Sequence, residues 1–147
     1  MQYICLVYQE EAKVAALSDA ELEKIVGDCI AYTMELEKGG HHVMSSGLQS
    51  ASTGTTIRRT NGRATVTDGP FAETKEILGG FTIIEARDLN EAIQLASKFP
   101  TGELGCIEVR PVMDPFQEMT GSLDQRLGKA VREAIQASGM CQPVPTT

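Results

Sequence analysis

Residues 67–76 read Thr67-Asp68-Gly69-Pro70-Phe71-Ala72-Glu73-Thr74-Lys75-Glu76, and they separate two halves of the chain that share one pattern of elements. The first half, residues 2–51, and the second, residues 80–110, are each predicted to form a strand, a helix and a strand. Because such crossovers are right-handed in nearly all proteins, two of them in one sheet give a ferredoxin-like α/β plait. The predicted fold class is therefore α+β, with two βαβ halves and an antiparallel sheet.

Both predicted helices begin at a residue type that caps helix N-termini. The first begins at Ser18 and keeps an apolar period to Lys38, where Gly39-Gly40 ends it. The second begins at Asp88 and ends before Pro100. In each helix a glutamate follows the cap by three residues, which fits the reciprocal bonding of a capping box.

A β-hairpin is predicted immediately before the central stretch. Residues 55–59 and 64–67 have β-type composition, and Asn61-Gly62 lies between them. This dipeptide favours the type I′ turn, which needs positive φ at both central positions. The hairpin leads the chain directly to Asp68. Beyond it, we expect Gly79-Gly80 to break any helix that begins at Glu73.

The chain has 147 residues, a length that fits one domain with a single core. The predicted domain covers residues 1–112. Residues 113–147 are predicted as a C-terminal extension. It contains a short amphipathic helix from Leu123 to Ser138 and a loose tail from Gln142 onward.

The composition excludes several classes of protein. A net charge of −7 argues against binding nucleic acid, which relies on clustered Lys and Arg. We expect no membrane association and a cytoplasmic location, because the N-terminus does not resemble a signal peptide and the apolar runs are short. No phosphate-binding loop or metal-ligand spacing is present, so no cofactor and no metal site are expected.

Four cysteines occur, none of them in a C-x-x-C pair. Cys5, Cys29 and Cys106 fall at apolar positions and are predicted to be buried thiols in a reducing compartment.

One face of the predicted sheet is left without cover. Two helices cover only the opposite face, and Val, Ile and Thr on several strands suggest that the remaining face is not solvated. A second copy of the sheet is the simplest cover, so we predict a homodimer.

Asp68 is the first candidate for chemistry. An aspartate before a turn usually accepts a hydrogen bond from the N–H two residues on, but that residue is Pro70, which has none. Pro70 also biases Gly69 towards extended geometry, giving a stiff corner with an outward carboxylate. The alternative is a structural role, in which Asp68 caps a segment from Glu73 to Ile77.

The residues after Asp68 are candidates for substrate binding. Lys75 is suited to bind an anionic group of a small-molecule ligand, and Glu73 and Phe71 are the other candidate substrate-binding residues. The alternative is that these charges form an ordinary solvated surface.

His41 and His42 are the two histidines of the chain and are candidate catalytic residues. Histidine has an unperturbed pKa close to neutrality and suits proton transfer. Adjacent residues of a strand point to opposite faces, so the pair is not expected to chelate one metal. The alternative is a helix-end histidine that interacts with the negative end of the helix dipole.

Residues 68–76, Asp68-Gly69-Pro70-Phe71-Ala72-Glu73-Thr74-Lys75-Glu76, with Gly79-Gly80-Phe81 after them, resemble the signature of the YCII-related family in its DGPF-motif branch. The resemblance covers about residues 1–112. It implies a dimeric α/β barrel, in which two ferredoxin-like sheets pack together, and a cleft near the dimer interface with a His–Asp pair. Asp68 matches the aspartate of the motif. The other main branch has its histidine inside the first helix, whereas this chain has His41 and His42 just after it.

Two hypotheses about function follow. In the first, the protein is a small-molecule enzyme or binder whose dimer cleft holds Asp68 as a base, with Lys75 and His41 or His42 nearby, for proton transfer or elimination. In the second, it is a non-catalytic dimeric module that binds another protein in a regulatory role, and the Asp68 segment is a structural corner.

Overall fold

The computed structural model describes residues 1–116 and 121–140. Within them lie six strands and four helices, together with two short 3₁₀ turns at Ala51–Thr53 and Pro100–Leu104. The strands are β1 (Gln2–Glu10), β2 (His42–Gly47), β3 (Thr55–Thr60), β4 (Arg63–Asp68), β5 (Glu76–Glu85) and β6 (Gly105–Pro111). The helices are α1 (Glu11–Ala15), α2 (Asp19–Lys38), α3 (Leu89–Ala96) and α4 (Ser122–Ser138).

The main sheet has the strand order β2-β5-β1-β6, and every neighbouring pair is antiparallel. The two strands that flank α2, β1 and β2, are separated by β5, and those that flank α3 are separated by β1. This interleaving of two βαβ units is the ferredoxin-like α+β fold, which confirms the predicted fold class. Strands β3 and β4 form a second, two-stranded sheet.

Both predicted caps are present, but the reciprocal capping box forms only at Ser18, because the Glu91 carboxylate accepts from the backbone N–H of Arg87 and not from that of Asp88. The Ser18 side chain accepts from the backbone N–H of Glu21, and the Glu21 carboxylate accepts from the Ser18 N–H in return. Asp88 accepts from the backbone N–H of Glu91 at the start of α3. These bonds occupy donors that a helix N-terminus otherwise leaves unpaired.

The core lies between the main sheet and helices α2 and α3. Tyr32 of α2 packs its ring edge-on against Phe99 and donates its hydroxyl proton to the carbonyl oxygen of Leu95 at 2.7 Å. The buried cluster consists of Tyr3, Cys5, Tyr32, Leu36, Ile84, Ala86, Ala92 and Ala96. Burial raises the pKa of the Cys5 thiol to about 11, so it is an unreactive core group.

The strand register assigns the remaining side chains to the other side of the sheet, which we call the open face. Its centre is apolar, and charged groups lie near its edges. The open face carries Ile4, Leu6, Tyr8, Met44, Leu78, Phe81, Ile83, Cys106, Glu108 and Arg110.

The central stretch does not contain a helix. Residues from Glu76 onward already belong to β5, so the expectation that Asp68 caps a helical segment from Glu73 to Ile77 is wrong. The two glycines lie inside the strand, and Gly79 is the extra residue of a β-bulge, because Val7 pairs with Gly80 and Tyr8 with Leu78. A side chain on Gly80 would come within 2.9 Å of the carbonyl oxygen of Ser46. These glycines therefore permit close strand approach and do not terminate a helix.

The long helix α2 leaves part of its apolar surface in solvent. Four residues spaced four apart, Leu22, Val26, Ile30 and Met34, are between 42% and 59% exposed. The apolar surface of this helix is thus divided between a core side, which holds Tyr32 and Leu36, and an exposed ridge.

The chain divides into two compact units, residues 1–111 and 112–147. The first contains the main sheet, the hairpin and α1 to α3. In the second, α4 ends at Gly139, which adopts the left-handed conformation that the sequence predicts for a helix end. The tail from Gln142 and Cys141 lie outside the described residues.

Candidate functional site

Asp68 is the last residue of β4 and is exposed. Its backbone pairs with Thr55 across the hairpin. In the described part of the chain, its carboxylate has neither a hydrogen bond nor an ion pair. The carboxylate is therefore not used to hold its own loop.

The loop after Asp68 is fixed by other groups. Gly69 adopts φ +90° and donates its N–H to the Gly54 carbonyl oxygen at 2.7 Å. The Thr56 hydroxyl donates to the Gly69 carbonyl oxygen at 2.8 Å, and the Arg58 guanidinium donates to the Phe71 carbonyl oxygen at 3.3 Å. The extended geometry expected for Gly69 before Pro70 is not adopted, because its φ is positive. The bonds from Gly69, Thr56 and Arg58 hold the corner, and they leave the carboxylate of Asp68 without a partner in the described residues.

Lys75 forms an ion pair with Glu10, which was not predicted from the sequence. Its ammonium lies 3.3 Å from the Glu10 carboxylate, which also pairs with Lys13 at 2.9 Å. Lys13, followed by Lys75, lowers the pKa of Glu10 below its usual value. The sequence did contain one indication of this cluster, because Glu10 and Lys13 are three residues apart, a spacing at which a helical turn brings side chains together. The same end of the sheet holds Cys106.

Cys106 is exposed, so its predicted burial is wrong. It lies on the open face of edge strand β6, and its thiol is 3.6 Å from the Glu76 carboxylate. Desolvation and the adjacent carboxylate raise the pKa of this thiol. The composition of β6 does not show on which face of the sheet Cys106 lies. Only its pairing with Tyr8 of β1 places it on the open face.

His41 lies just beyond α2 and reaches the far end of β5. Its Nδ1 is 2.8 Å from the carbonyl oxygen of Glu85, so Nδ1 carries the donated proton and the neutral ring keeps its lone pair on Nε2. The ring lines a cavity of about 260 Å³ together with Glu85, Arg87 and Glu91. His41 therefore keeps one ring nitrogen, Nε2, without a partner in the described residues, and it borders a shallow, open cavity.

Both ring nitrogens of His42 lie close to polar groups of nearby residues. Its Nε2 is 3.0 Å from the Ser45 hydroxyl, and its Nδ1 is 3.5 Å from the Glu37 carboxylate. Its side chain is 14% exposed.

Within one copy of the chain, the predicted site residues fall into two groups. Lys75 and the loop after Asp68 adjoin the start of β5, whereas His41 is bonded at Glu85, the last residue of that strand. Glu76 and Glu85 are nine residue steps apart along the strand, about 30 Å. Phe71 is 77% exposed, and Glu73 is also exposed without a polar partner in the described residues. The structure brings His41 to Glu85 and Lys75 to Glu10, but neither to Asp68.

The family model of the YCII-related domain matches residues 1–117. The chain belongs to the YCII-related family. It is also similar to an uncharacterised protein of Rhizobium meliloti (strain 1021), with 34% identity over 114 residues, which cover 76% of this chain and 92% of that protein. The similarity thus spans the ferredoxin-like unit and brings no assigned reaction with it.

A second concave surface of this YCII-related chain is apolar. A groove of about 520 Å³ runs between α3 and β6, where Leu89, Ile93, Phe99, Ile107 and Val109 line it. Asp68 lines neither this groove nor the cavity at His41.

Other classes of site find no support in the described ranges, 1–116 and 121–140. No group of three or more His, Cys, Asp or Glu side chains is placed to hold a metal ion there. The helices of these ranges also lack the length and apolar character that crossing a membrane requires.

Proposed function

We propose that this YCII-related protein is a homodimeric small-molecule enzyme or binder that uses the carboxylate of Asp68 at the cleft between two copies. The observation that carries this proposal is the unpaired carboxylate on a corner that other groups hold rigid. A carboxylate that is fixed in place without using its own acceptors is ready to bind a donor or to accept a proton.

The open face supports the dimeric part of the proposal. Leu6, Phe81 and Ile83 lie at its centre, are half-buried in a single copy and take no part in the buried core cluster. An apolar surface of this kind with charged edges is typical of protein interfaces.

The reaction class that fits is proton transfer or elimination on a small polar substrate. Asp68 accepts a proton from a substrate carbon, and the electron pair of the broken C–H bond forms a double bond as a leaving group departs. Because Lys75 is paired with Glu10, an anionic substrate has to compete with that carboxylate for the ammonium.

The test is a thermal-stabilisation screen of small carboxylic acids and other polar metabolites on the full chain. A ligand present at 100 times its Kd stabilises by about 2.7 kcal/mol, which at this length corresponds to roughly 5–10 °C in Tm. We expect Asp68→Asn to weaken the binding of a hit about tenfold or more, because it removes a charge-assisted hydrogen bond. Glu23→Gln, which neutralises an exposed carboxylate without a partner in the described residues, is the matched control.

A second candidate site is the cavity at His41. It is favoured by the bond from Nδ1 to the Glu85 carbonyl oxygen, which leaves Nε2 free to accept a proton. The variant His41→Asn separates the two candidates: loss of ligand stabilisation in this variant and not in Asp68→Asn assigns the site to His41. If no small molecule stabilises the chain, the non-catalytic interaction module is the better description.

A further inference from the structure

The hairpin of β3 and β4, residues 55–68, lacks a core of its own, and we call it the hairpin arm. Every residue of its two strands is exposed except the half-buried Thr56. Its strands pair only with each other, outside the main sheet. Isolated two-stranded hairpins are marginally stable in water, so an arm of this length requires a surface to pack on.

The two faces of the hairpin arm differ in composition. Directly opposed residues of an antiparallel pair point to the same side, and successive residues alternate. One side is wholly polar: it holds three threonine and arginine pairs, Thr56–Thr67, Arg58–Thr65 and Thr60–Arg63. The other, the apolar face of the arm, holds Ile57 opposite Val66, with Arg59 towards the tip and Asp68 at the base.

The chain itself uses the polar side. Thr56 and Arg58 on that side bind the carbonyl oxygens of Gly69 and Phe71, so the loop after Asp68 folds towards it. The apolar face receives no such contact. Ile57 is 66% exposed and Val66 is 61% exposed. Strict alternation with one apolar side is typical of a strand pair that is covered on that side.

Charge favours another copy of this chain as the cover. The arm carries Arg58, Arg59 and Arg63 against Asp68, a net charge of +2. Removing this from the chain total of −7 leaves −9 on the rest. The net charge of the arm is therefore opposite in sign to that of the rest of each chain. The open face of the main sheet adds an apolar surface for Ile57 and Val66 to contact.

We propose that the hairpin arm packs its apolar face on a second copy of the chain, with the two arms exchanged about a two-fold axis. One symmetric contact then covers both the exposed apolar face of the arm and the half-buried open face of the sheet. Asp68 lies on the apolar face of the arm, so each Asp68 carboxylate meets the other copy. This inference rests on the proposed dimer and makes the Asp68 site a composite of two chains.

The experiment is sedimentation equilibrium on the full chain, with two adjacent residues of β4 compared. Val66→Asp places a charge on the apolar face of the arm, and Thr65→Asp places the same charge on the polar side. We expect Val66→Asp to raise the dimer dissociation constant by about tenfold or more, since it buries an unpaired charge. Thr65→Asp is expected to leave that constant within about twofold of the wild type, as at most surface positions.

A second pair keeps the test independent of hairpin folding. Arg59→Glu and Arg63→Glu change the net charge equally and leave Asn61-Gly62 and the apolar pair intact. We expect Arg59→Glu to weaken the dimer several-fold more than Arg63→Glu, with a difference that salt reduces. If neither Val66→Asp nor Arg59→Glu changes the dimer dissociation constant, the arm exchange is wrong. The proposed role of Asp68 in ligand binding would not be affected by that result, because the thermal-stabilisation screen tests it separately. A wild-type chain that is monomeric at micromolar concentration would overturn the arm exchange and the dimer together.

Discussion

At the scale of single residues, Glu10 is a carboxylate whose ionisation is favoured by two neighbouring ammonium groups. It ends β1, its side chain is 13% exposed, and it accepts from both Lys13 and Lys75. The two ammonium groups favour its charged form, which lowers its pKa below the usual 4.5. Glu10 thereby holds Lys75 near the start of β5, next to the loop that follows Asp68.

The pairing of Glu10 predicts a definite dependence of stability on pH. Because its pKa is lower in the folded chain than in the unfolded chain, the ionised carboxylate stabilises the fold above the usual value of 4.5. This contribution is lost as the pH falls through the folded value. We expect Glu10→Gln to be less stable than the wild type near about pH 7, with the difference disappearing in acid.

Urea unfolding of both proteins across this range measures the effect, and Glu23→Gln provides the control for removing an unpaired carboxylate. A stability difference between wild type and Glu10→Gln that persists unchanged in acid would show that Glu10 does not act through its charge.

At the scale of elements, two glycines differ in how much space the neighbouring elements leave for a side chain. Gly27 lies in the middle of α2, and a methyl group there would meet nothing within 4 Å. Gly105 begins β6 against β1, where a methyl group would lie 2.2 Å from the Tyr8 carbonyl oxygen. The same residue type is therefore dispensable in one element and required in the other.

We expect Gly27→Ala to stabilise the protein by about 1 kcal/mol, because alanine has the higher helix propensity and space is available. Gly105→Ala is expected to destabilise it by roughly 1–3 kcal/mol, because β6 has to move away from β1 to admit the methyl group. Chemical unfolding with urea gives both values. Changes of the same sign in the two variants would contradict this interpretation.

Elements governed by local rules were predictable from the sequence. The cap at Ser18 and the Asn61-Gly62 turn, whose two residues have φ of 51° and 78°, depend on atoms a few residues apart. The early start of β5 was not predictable, because Gly79 and Gly80 have the composition of a helix stop. Their role depends on β1 and β2, which lie far away in the sequence. The short helix α1 was also missed, since one and a half turns give no apolar period.

At the scale of the whole molecule, residues 1–111 contain every member of the buried core cluster. The family model ends close by, at residue 117. Folding of the sheet therefore depends on contacts made within this unit. The separation of His41 from Lys75 was also not predictable from the sequence, because it follows from the arrangement of the strands, which places them near opposite ends of β5.

We predict that a chain ending at Phe116 retains the far-UV spectrum of an α+β protein and unfolds cooperatively in urea. The 17-residue α4, by contrast, is expected to be largely unfolded as an isolated peptide, because helices of about 15 residues are marginal in water. Loss of cooperative unfolding in the shortened chain would show that the C-terminal unit is needed for the core.

The two edges of the main sheet bear on aggregation. Edge strands present unpaired backbone groups that invite other strands to add on, and β-bulges, charged side chains and proline are the features that prevent it. Strand β2 carries a bulge at Val43, since His42 pairs with Ile84 and Met44 with Ile83. Strand β6 carries Glu108 and Arg110 and ends in Pro111. Growth of the sheet into filaments by edge-to-edge addition is thereby opposed on both sides, while its apolar face stays free to associate.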